Sequence, residues 1–238
     1  MIIFVIFLMM GAYPPAWVFR PMVRGRMRVL VSYDGSPAGR ISSDLHIRRK
    51  ARKPMNAKDI LSEQVAAGWL LILSSLIFVP SGLLFTGRVI LKWPWAQSKS
   101  YLYGERGLVM TAVLAATLGF ILLERLLENA GDRVVPPLAM TILLIAAVLV
   151  LVAETLSLHE EGYIYTPVVA FVILAFIGQA AFGVAILHTD FLPAWVGWAT
   201  VIWNMAWLVI LPIARPQDMY YPWLHYVIPL IIGIALLR

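Results

Sequence analysis

Residues 134–153 read VVPPLAMTILLIAAVLVLVA, twenty consecutive residues without a charged side chain. A helix rises about 1.5 Å per residue, so a run of this length crosses the ~30 Å hydrocarbon core of a bilayer. The run lacks the alternation of apolar and polar positions that a membrane barrel strand requires. Because backbone groups in lipid must be satisfied within the segment, the run predicts a transmembrane α-helix.

Comparable charge-poor stretches recur along the rest of the chain. They predict an all-α, polytopic transmembrane helical bundle of about six spans, near residues 65–87, 107–128, 134–153, 163–187, 191–214 and 220–237. Composition agrees, since 61% of the residues are hydrophobic and 13% are charged, against roughly 45–50% and 25% in soluble domains. Nineteen basic and thirteen acidic residues do not make a polar shell for such a chain. We therefore expect lipid to cover it.

The first 64 residues differ in character from residues 65–238, which we expect to form the six-helix transmembrane domain. Residues 1–19 carry no charge and fit either a short seventh span or an interfacial segment. A basic, loop-like tail follows. An alternative interpretation is that the start is misassigned and that the chain begins at Met55, because the sequence after Met55 opens directly into a helix.

The basic tail accounts for the net charge of the chain. Between Arg20 and Lys58 there are eleven basic and two acidic residues, whereas the remainder has eight basic and eleven acidic residues. If the tail is retained, it is expected to bind anionic lipid headgroups, at about 1 kcal/mol per basic residue. Nucleic-acid binding is the less favoured interpretation. Counting the tail, basic residues favour its side of the membrane by fourteen to five, which predicts a cytoplasmic N-terminal side.

One group of candidate site residues follows the third span and enters the last one. Glu154, His159, Glu161 and His225 are expected on the same side of the membrane. Carboxylates and imidazoles together suit an acid–base pair or an oxygen- and nitrogen-ligated metal. The spacing lacks the His-Glu-x-x-His pattern that places two ligands on one helix face. We therefore assign these residues neither a metal nor a catalytic role. His225 is the one whose position is least explained by exposure to water at a helix end.

The opposite side of the bundle carries a second polar group. Glu124 and Glu128 share a helix face near the end of the second span, and His188 and Asp190 occupy the turn between the fourth and fifth spans. A proton relay or a cation site is one interpretation, because ionisable residues at membrane depth are often functional. The favoured interpretation is that these residues form ion pairs at the ends of helices.

Two amides are expected near the middle of the membrane. Gln179 lies in the fourth span and Asn204 in the fifth, about eight and thirteen residues from their shared turn. Polar side chains at this depth commonly hydrogen-bond across helices, an interaction that contributes about 0.6–2 kcal/mol. The favoured interpretation is therefore that Gln179 and Asn204 hydrogen-bond to neighbouring helices rather than to a substrate.

Several kinds of chemistry lack the residues they need. The chain has no cysteine, so thiolate catalysis, disulfides and cysteine-ligated metals are excluded. No phosphate-binding loop, dinucleotide fingerprint or serine-hydrolase elbow is present. We predict no cofactor, and the sequence carries no signal for an oligomeric state.

A short segment resembles a known type of protein. Residues 183–198 read GVAILHTDFLPAWVGW. This segment is similar to the turn between two consecutive transmembrane helices in uncharacterised bacterial multi-span membrane proteins. That pattern often has basic residues where this chain has His188 and Ala194. The resemblance implies a bacterial inner-membrane bundle and transfers no catalytic residue.

Two functional hypotheses follow. The favoured one is a non-enzymatic membrane module, either a small transporter or an accessory or sensory subunit, with a polar cavity between helices at Gln179 and Asn204. The alternative is a membrane-embedded enzyme acting on a lipid or another apolar substrate, in which Glu154, His159 or Glu161 converges with His225.

Overall fold

A computed structural model describes residues 57–89, 91–158, 165–214 and 222–238. Six α-helices lie in this part of the chain: α1 (Ala57–Val89), α2 (Lys99–Asn129), α3 (Val135–Ser157), α4 (Tyr165–Thr189), α5 (Ala194–Ala214) and α6 (Val227–Leu236). Short 3-10 helices, Pro94–Gln97 and Pro222–Tyr226, precede α2 and α6. The described residues contain no strand, which confirms the predicted all-α membrane bundle of about six spans.

Five of these helices are long and apolar enough to cross a membrane, by length and composition, and the sixth is shorter. Large apolar side chains point outwards along them, such as Leu83, Val148 and Ile202. Since about a third of each apolar window is buried in most spans, the remaining faces suit lipid. The chain is therefore an integral membrane protein.

Five pairs of helices make most of the contacts in the bundle. α1 lies against α2 and α6, α4 lies between α3 and α5, and α2 packs against α3. Glycines allow the closest approaches. A Cβ on Gly233 of α6 would come 2.8 Å from the carbonyl oxygen of Gly68 on α1, and one on Gly183 of α4 would come 2.9 Å from that of Gly197 on α5. Such small residues let backbones touch where lipid offers no hydrophobic drive for association.

The last of the six helices is the shortest. The Leu236 carbonyl at its end accepts a 2.8 Å hydrogen bond from the Gln64 side chain, and the Tyr226 carbonyl at its start accepts a 2.7 Å bond from the Ser75 hydroxyl. Gln64 and Ser75 are separated by eleven residues of α1 (75 − 64), or about 16 Å. The distance is about half of a ~30 Å hydrocarbon core. The 3-10 helix Pro222–Tyr226 runs directly into α6, so the helical segment covers residues 222–236, within the span expected over residues 220–237.

Asp132 caps α3 in the turn that follows α2. Its side chain accepts 3.0 Å hydrogen bonds from the backbone N–H groups of Val134 and Val135 and lies 3.4 Å from Nδ1 of His188. Burial, the largest single influence, raises the pKa of Asp132. The bonds from Val135, Val134 and His188 together outweigh it and hold the pKa below its ordinary value.

We expect Asp132→Ala to destabilise the protein by about 1 kcal/mol at neutral pH, because it removes the cap. The carboxylate contributes stability above the ordinary Asp pKa of about 4 and loses it as the pH falls through the lowered folded pKa. The deficit of the variant should therefore shrink in acid. Thermal unfolding in detergent at neutral and acidic pH measures it, with Asp190→Asn as control because Asn tolerates the φ of 50° at that position. An equal deficit at both pH values would contradict the assignment.

Candidate functional site

Four charged side chains form a continuous chain across three helices at one end of the bundle. Arg88 of α1 binds both carboxylate oxygens of Glu105 on α2, at 2.7 and 2.8 Å. The neighbouring Arg106 lies 3.9 Å from Glu105 and donates a 2.5 Å hydrogen bond to Glu154 of α3. We call these four residues the charge chain. Its two positive and two negative groups balance.

Most of the charge chain is enclosed by protein. Glu105 and Glu154 are each 1% exposed and Arg106 is 4% exposed. The Ser81 hydroxyl bonds the backbone carbonyl of Glu105, which further ties α1 to α2. Burial of separate charges is costly, and it is tolerated when each has a partner of opposite sign. Glu154 uses one carboxylate oxygen for Arg106, and the other has no hydrogen-bond partner among the described residues.

Sequence analysis missed the charge chain. Arg88 and Arg106 are two of the five basic residues assigned to the side of the membrane opposite the tail, and Glu105 is not among the candidate site residues. The charge-free run of the second span starts at Gly107, but α2 begins at Lys99, so Glu105 and Arg106 lie inside the helix. The sequence did contain a signal for it. Two basic and two acidic residues lie at the ends of the first three spans on the same side of the membrane, and their charges sum to zero.

The predicted cluster of Glu154, His159, Glu161 and His225 is described only in part. Glu154 belongs to the charge chain, and His225 lies in the 3-10 helix before α6. His159 and Glu161 fall outside the described residues, so their convergence with His225 stays a prediction.

His225 lies deep among aromatic side chains. It is 3% exposed, and its ring centroid lies 3.9 Å from that of Phe176 and 5.4 Å from that of Phe171. Neither ring nitrogen has a hydrogen-bond partner within the described part of the chain. A charged imidazole in this setting would be desolvated without a counter-charge, so the neutral form is favoured.

The backbone around His225 is held by side chains from three helices. The carbonyls of Leu224, His225 and Tyr226 accept hydrogen bonds from Trp203 of α5, Gln179 of α4 and Ser75 of α1, at 2.9, 3.1 and 2.7 Å. The middle bond has a clear cause. In a continuous helix the His225 carbonyl would bond the N–H of residue 229, but that residue is proline and has none.

A cavity of about 40 Å³ lies beside the junction of the 3-10 helix and α6, where it adjoins α2, α3 and α4. We call it the central cavity. Most of its lining is apolar, and Thr117, Gln179, His225 and Tyr226 carry its polar groups. Gln179 is 4% exposed, and its amide oxygen lacks a partner among the described residues. The central cavity thus combines apolar walls with buried, unused hydrogen-bonding atoms.

The charge chain and the central cavity are spaced regularly along two helices. Arg106 precedes the cavity residue Val113 by seven positions on α2, and Glu154 follows the cavity residue Ala147 by seven positions on α3. Seven residues correspond to about 10 Å of helix. The charge chain therefore lies about two helical turns from the central cavity, towards one end of the bundle.

Asn204 does not share this site. It is fully buried, but its amide nitrogen bonds the Thr200 carbonyl one turn earlier in α5. The central cavity is not lined by Asn204. The expected cavity at Gln179 and Asn204 is thus found beside Gln179, with His225 as its second deep polar residue.

The polar group at the other end of the bundle is dispersed. His188 lies against the helix cap Asp132, and Asp190 occupies the turn with a positive φ. Nearby, Arg125 lies 3.8 Å from Glu63 of α1. Glu124 and Glu128 both have interaction partners. Among the described residues, no group of three or more His, Asp or Glu side chains is arranged to hold a metal ion.

These features define a helical membrane bundle with a buried charge chain and a small central cavity. No protein-family model matches the chain, and no curated protein or solved structure matches it either.

Proposed function

We propose that this protein is a small transporter rather than an enzyme, with the central cavity as its solute compartment. The observation that carries the proposal is the placement of Gln179 and His225, with unused hydrogen-bonding atoms, on the lining of a cavity between four helices. Ligand sites in helical bundles lie between the helices and combine apolar walls with a few polar groups. A purely structural bundle would gain by filling such a space with apolar side chains.

The charge chain supplies a barrier on one side of that compartment. It ties together α1, α2 and α3 about 10 Å from the central cavity, where these helices would have to separate for a solute to enter. Intramembrane ionisable residues that face the bundle interior commonly mark such pathways. Breaking the Arg106–Glu154 pair is the local change that would release α3 from α2.

The size of the central cavity argues against a lipid substrate in this conformation. Pockets for small organic ligands usually measure about 300–1,000 Å³, whereas this one measures about 40 Å³. The enzyme hypothesis needs Glu154, His159 or Glu161 to converge with His225. The transporter proposal needs only contacts among the described residues.

The proposal extends to location and surroundings. We place the protein in a bacterial inner membrane, on the basis of the resemblance of residues 183–198. The basic segment before α1 would bind anionic headgroups on the cytoplasmic side.

Cysteine labelling tests whether the central cavity opens. The chain has no native cysteine, so a single thiol can be followed. We expect Thr117→Cys, on the cavity, to react slowly with a membrane-impermeant thiol reagent in proteoliposomes. Glu154→Gln in the same protein should raise the rate about tenfold, because a neutral amide bonds Arg106 more weakly than a carboxylate does. A tenfold change corresponds to about 1.4 kcal/mol less free energy in favour of the closed state.

The matched control is Leu114→Cys, one turn away on the same helix, at a position whose side chain is 51% exposed. It faces lipid and should stay unreactive in both backgrounds, while both cysteines should react after denaturation. If Thr117→Cys labels no faster than Leu114→Cys in either background, the compartment does not open and the transporter proposal fails.

A further inference from the structure

We propose that the central cavity binds a neutral hydrogen-bonding molecule of up to about three non-hydrogen atoms, through Gln179 and His225. This inference deepens the proposed transporter function and rests on it, because it names the class of substrate. It is argued from the size, charge and hydrogen-bonding pattern of the site.

Size sets the upper limit. A buried water needs at least about 10–15 Å³ of such cavity volume, so about 40 Å³ corresponds to about three waters or one molecule of three non-hydrogen atoms. A sugar, an amino acid or a lipid headgroup is too large. The walls contributed by Phe120, Leu143 and Phe171 leave little room for expansion without movement of a helix.

Charge sets the second limit. Gln179, His225 and Tyr226 are the buried residues with polar groups on the cavity lining, and no Asp, Glu, Lys or Arg of the described chain belongs to it. An ion here would lose its hydration shell without gaining an opposite charge, which costs several kcal/mol. The site therefore favours an uncharged occupant.

The hydrogen-bonding atoms set the third limit. The nitrogen of the Gln179 amide is already used for the His225 carbonyl, so its oxygen is left as an acceptor. A neutral imidazole offers one donor and one acceptor. Tyr226, also on the lining, adds a hydroxyl that can donate and accept. The site thus presents both donors and acceptors, which complement a small molecule that has both. Water, ammonia and formamide share that chemistry.

The position of the site fits this occupant. It adjoins the N-terminal end of α6, whose ten residues begin directly after Tyr226. The positive end of a helix dipole favours the acceptor atom of a polar solute. The buried, unpartnered side chains of Gln179 and His225 are the independent observation that makes this helix end a binding site.

Solute flux into proteoliposomes of the full chain tests the inference. The arms are water and formamide, followed by light scattering, and ammonia, followed by an internal pH dye. Glycerol and potassium serve as the oversized and charged probes. We expect at least one of the three small solutes to enter several-fold faster than into protein-free liposomes, and glycerol and potassium to enter no faster.

Variants assign the flux to the site. His225→Phe keeps the ring packing and removes both nitrogens, and Gln179→Leu removes the acceptor; both should lower the flux to the protein-free rate. Pro229→Ala, combined with Gln179→Leu, supplies a backbone N–H for the His225 carbonyl. The double variant therefore tests a protein that folds but lacks the amide oxygen of Gln179. Asn204→Leu, an equally buried amide away from the cavity, should leave the flux unchanged.

The outcomes separate this inference from the transporter proposal. If Thr117→Cys labels as expected but no small solute exceeds the protein-free rate, or glycerol or potassium enters equally fast, the substrate class is wrong and transport stands. Flux that survives in folded His225→Phe and in the double variant also overturns the class. If Thr117→Cys never labels and no solute enters, the transporter function itself fails.

Discussion

Arg106→Met is expected to destabilise the protein by about 3–5 kcal/mol, the usual cost of removing one partner from a buried ion pair. The loss leaves Glu154 buried at 1% exposure without its guanidinium partner. Replacing both residues, as Arg106→Met with Glu154→Leu, should recover most of that stability, because no unpaired charge remains. Unfolding in detergent, followed by the fluorescence of the nine tryptophans, measures both.

The matched control is Arg125→Met at the other end of the bundle. Arg125 is also paired with a glutamate across helices, but its side chain is 52% exposed and the pair is 3.8 Å long. Exposed pairs of this kind contribute about 0–1 kcal/mol. If Arg125→Met costs as much as Arg106→Met, the effect reflects the loss of any arginine rather than the burial of the charge chain.

The double variant also separates a barrier from a simple attachment between helices. If the charge chain only holds α2 to α3, the stable double variant should label at Thr117→Cys as slowly as the parent protein. If it closes the central cavity, labelling should rise about tenfold even though stability has returned, as 1.4 kcal/mol is a factor of ten. The second result is expected.

The spans were predictable from the sequence because lipid imposes a simple requirement on length and charge. The third run, residues 134–153, corresponds to α3 over Val135–Ser157, and the fourth, 163–187, to α4 over Tyr165–Thr189. The helices nevertheless extend beyond several charge-free runs, as Glu105 and Glu154 show. A run without charges reports where lipid is tolerated, whereas a paired charge can lie inside the protein at the same depth.

The site was less predictable because it depends on how distant segments meet. Gln179 and His225 were each singled out, but they are 46 residues apart, and depth alone made Asn204 an equally good neighbour for Gln179. Their meeting depends on how the last helix packs against α4. One local signal was present, since Pro229 lies four residues after His225 and leaves that carbonyl without its helical donor.

That signal gives the second large prediction. Gln179→Leu is expected to cost about 1–3 kcal/mol, because it strands the buried carbonyl of His225 without a hydrogen bond. Adding Pro229→Ala supplies a backbone N–H at the position from which an α-helix would bond that carbonyl. The second substitution should therefore recover most of the loss, although alone it removes proline's restriction of the unfolded chain and should be neutral or slightly destabilising.

Unfolding of the four proteins in a double-mutant cycle measures the coupling between residues 179 and 229. A favourable coupling of about 1 kcal/mol or more is expected, with the hydrogen bond moving from a side chain of α4 to the backbone of the last helix. The same cycle at Asn204 and Pro229, whose side chains share no carbonyl acceptor, should give additive effects. Additivity at Gln179 and Pro229 as well would show that the proline is not the reason why the His225 carbonyl lacks a donor from its own helix.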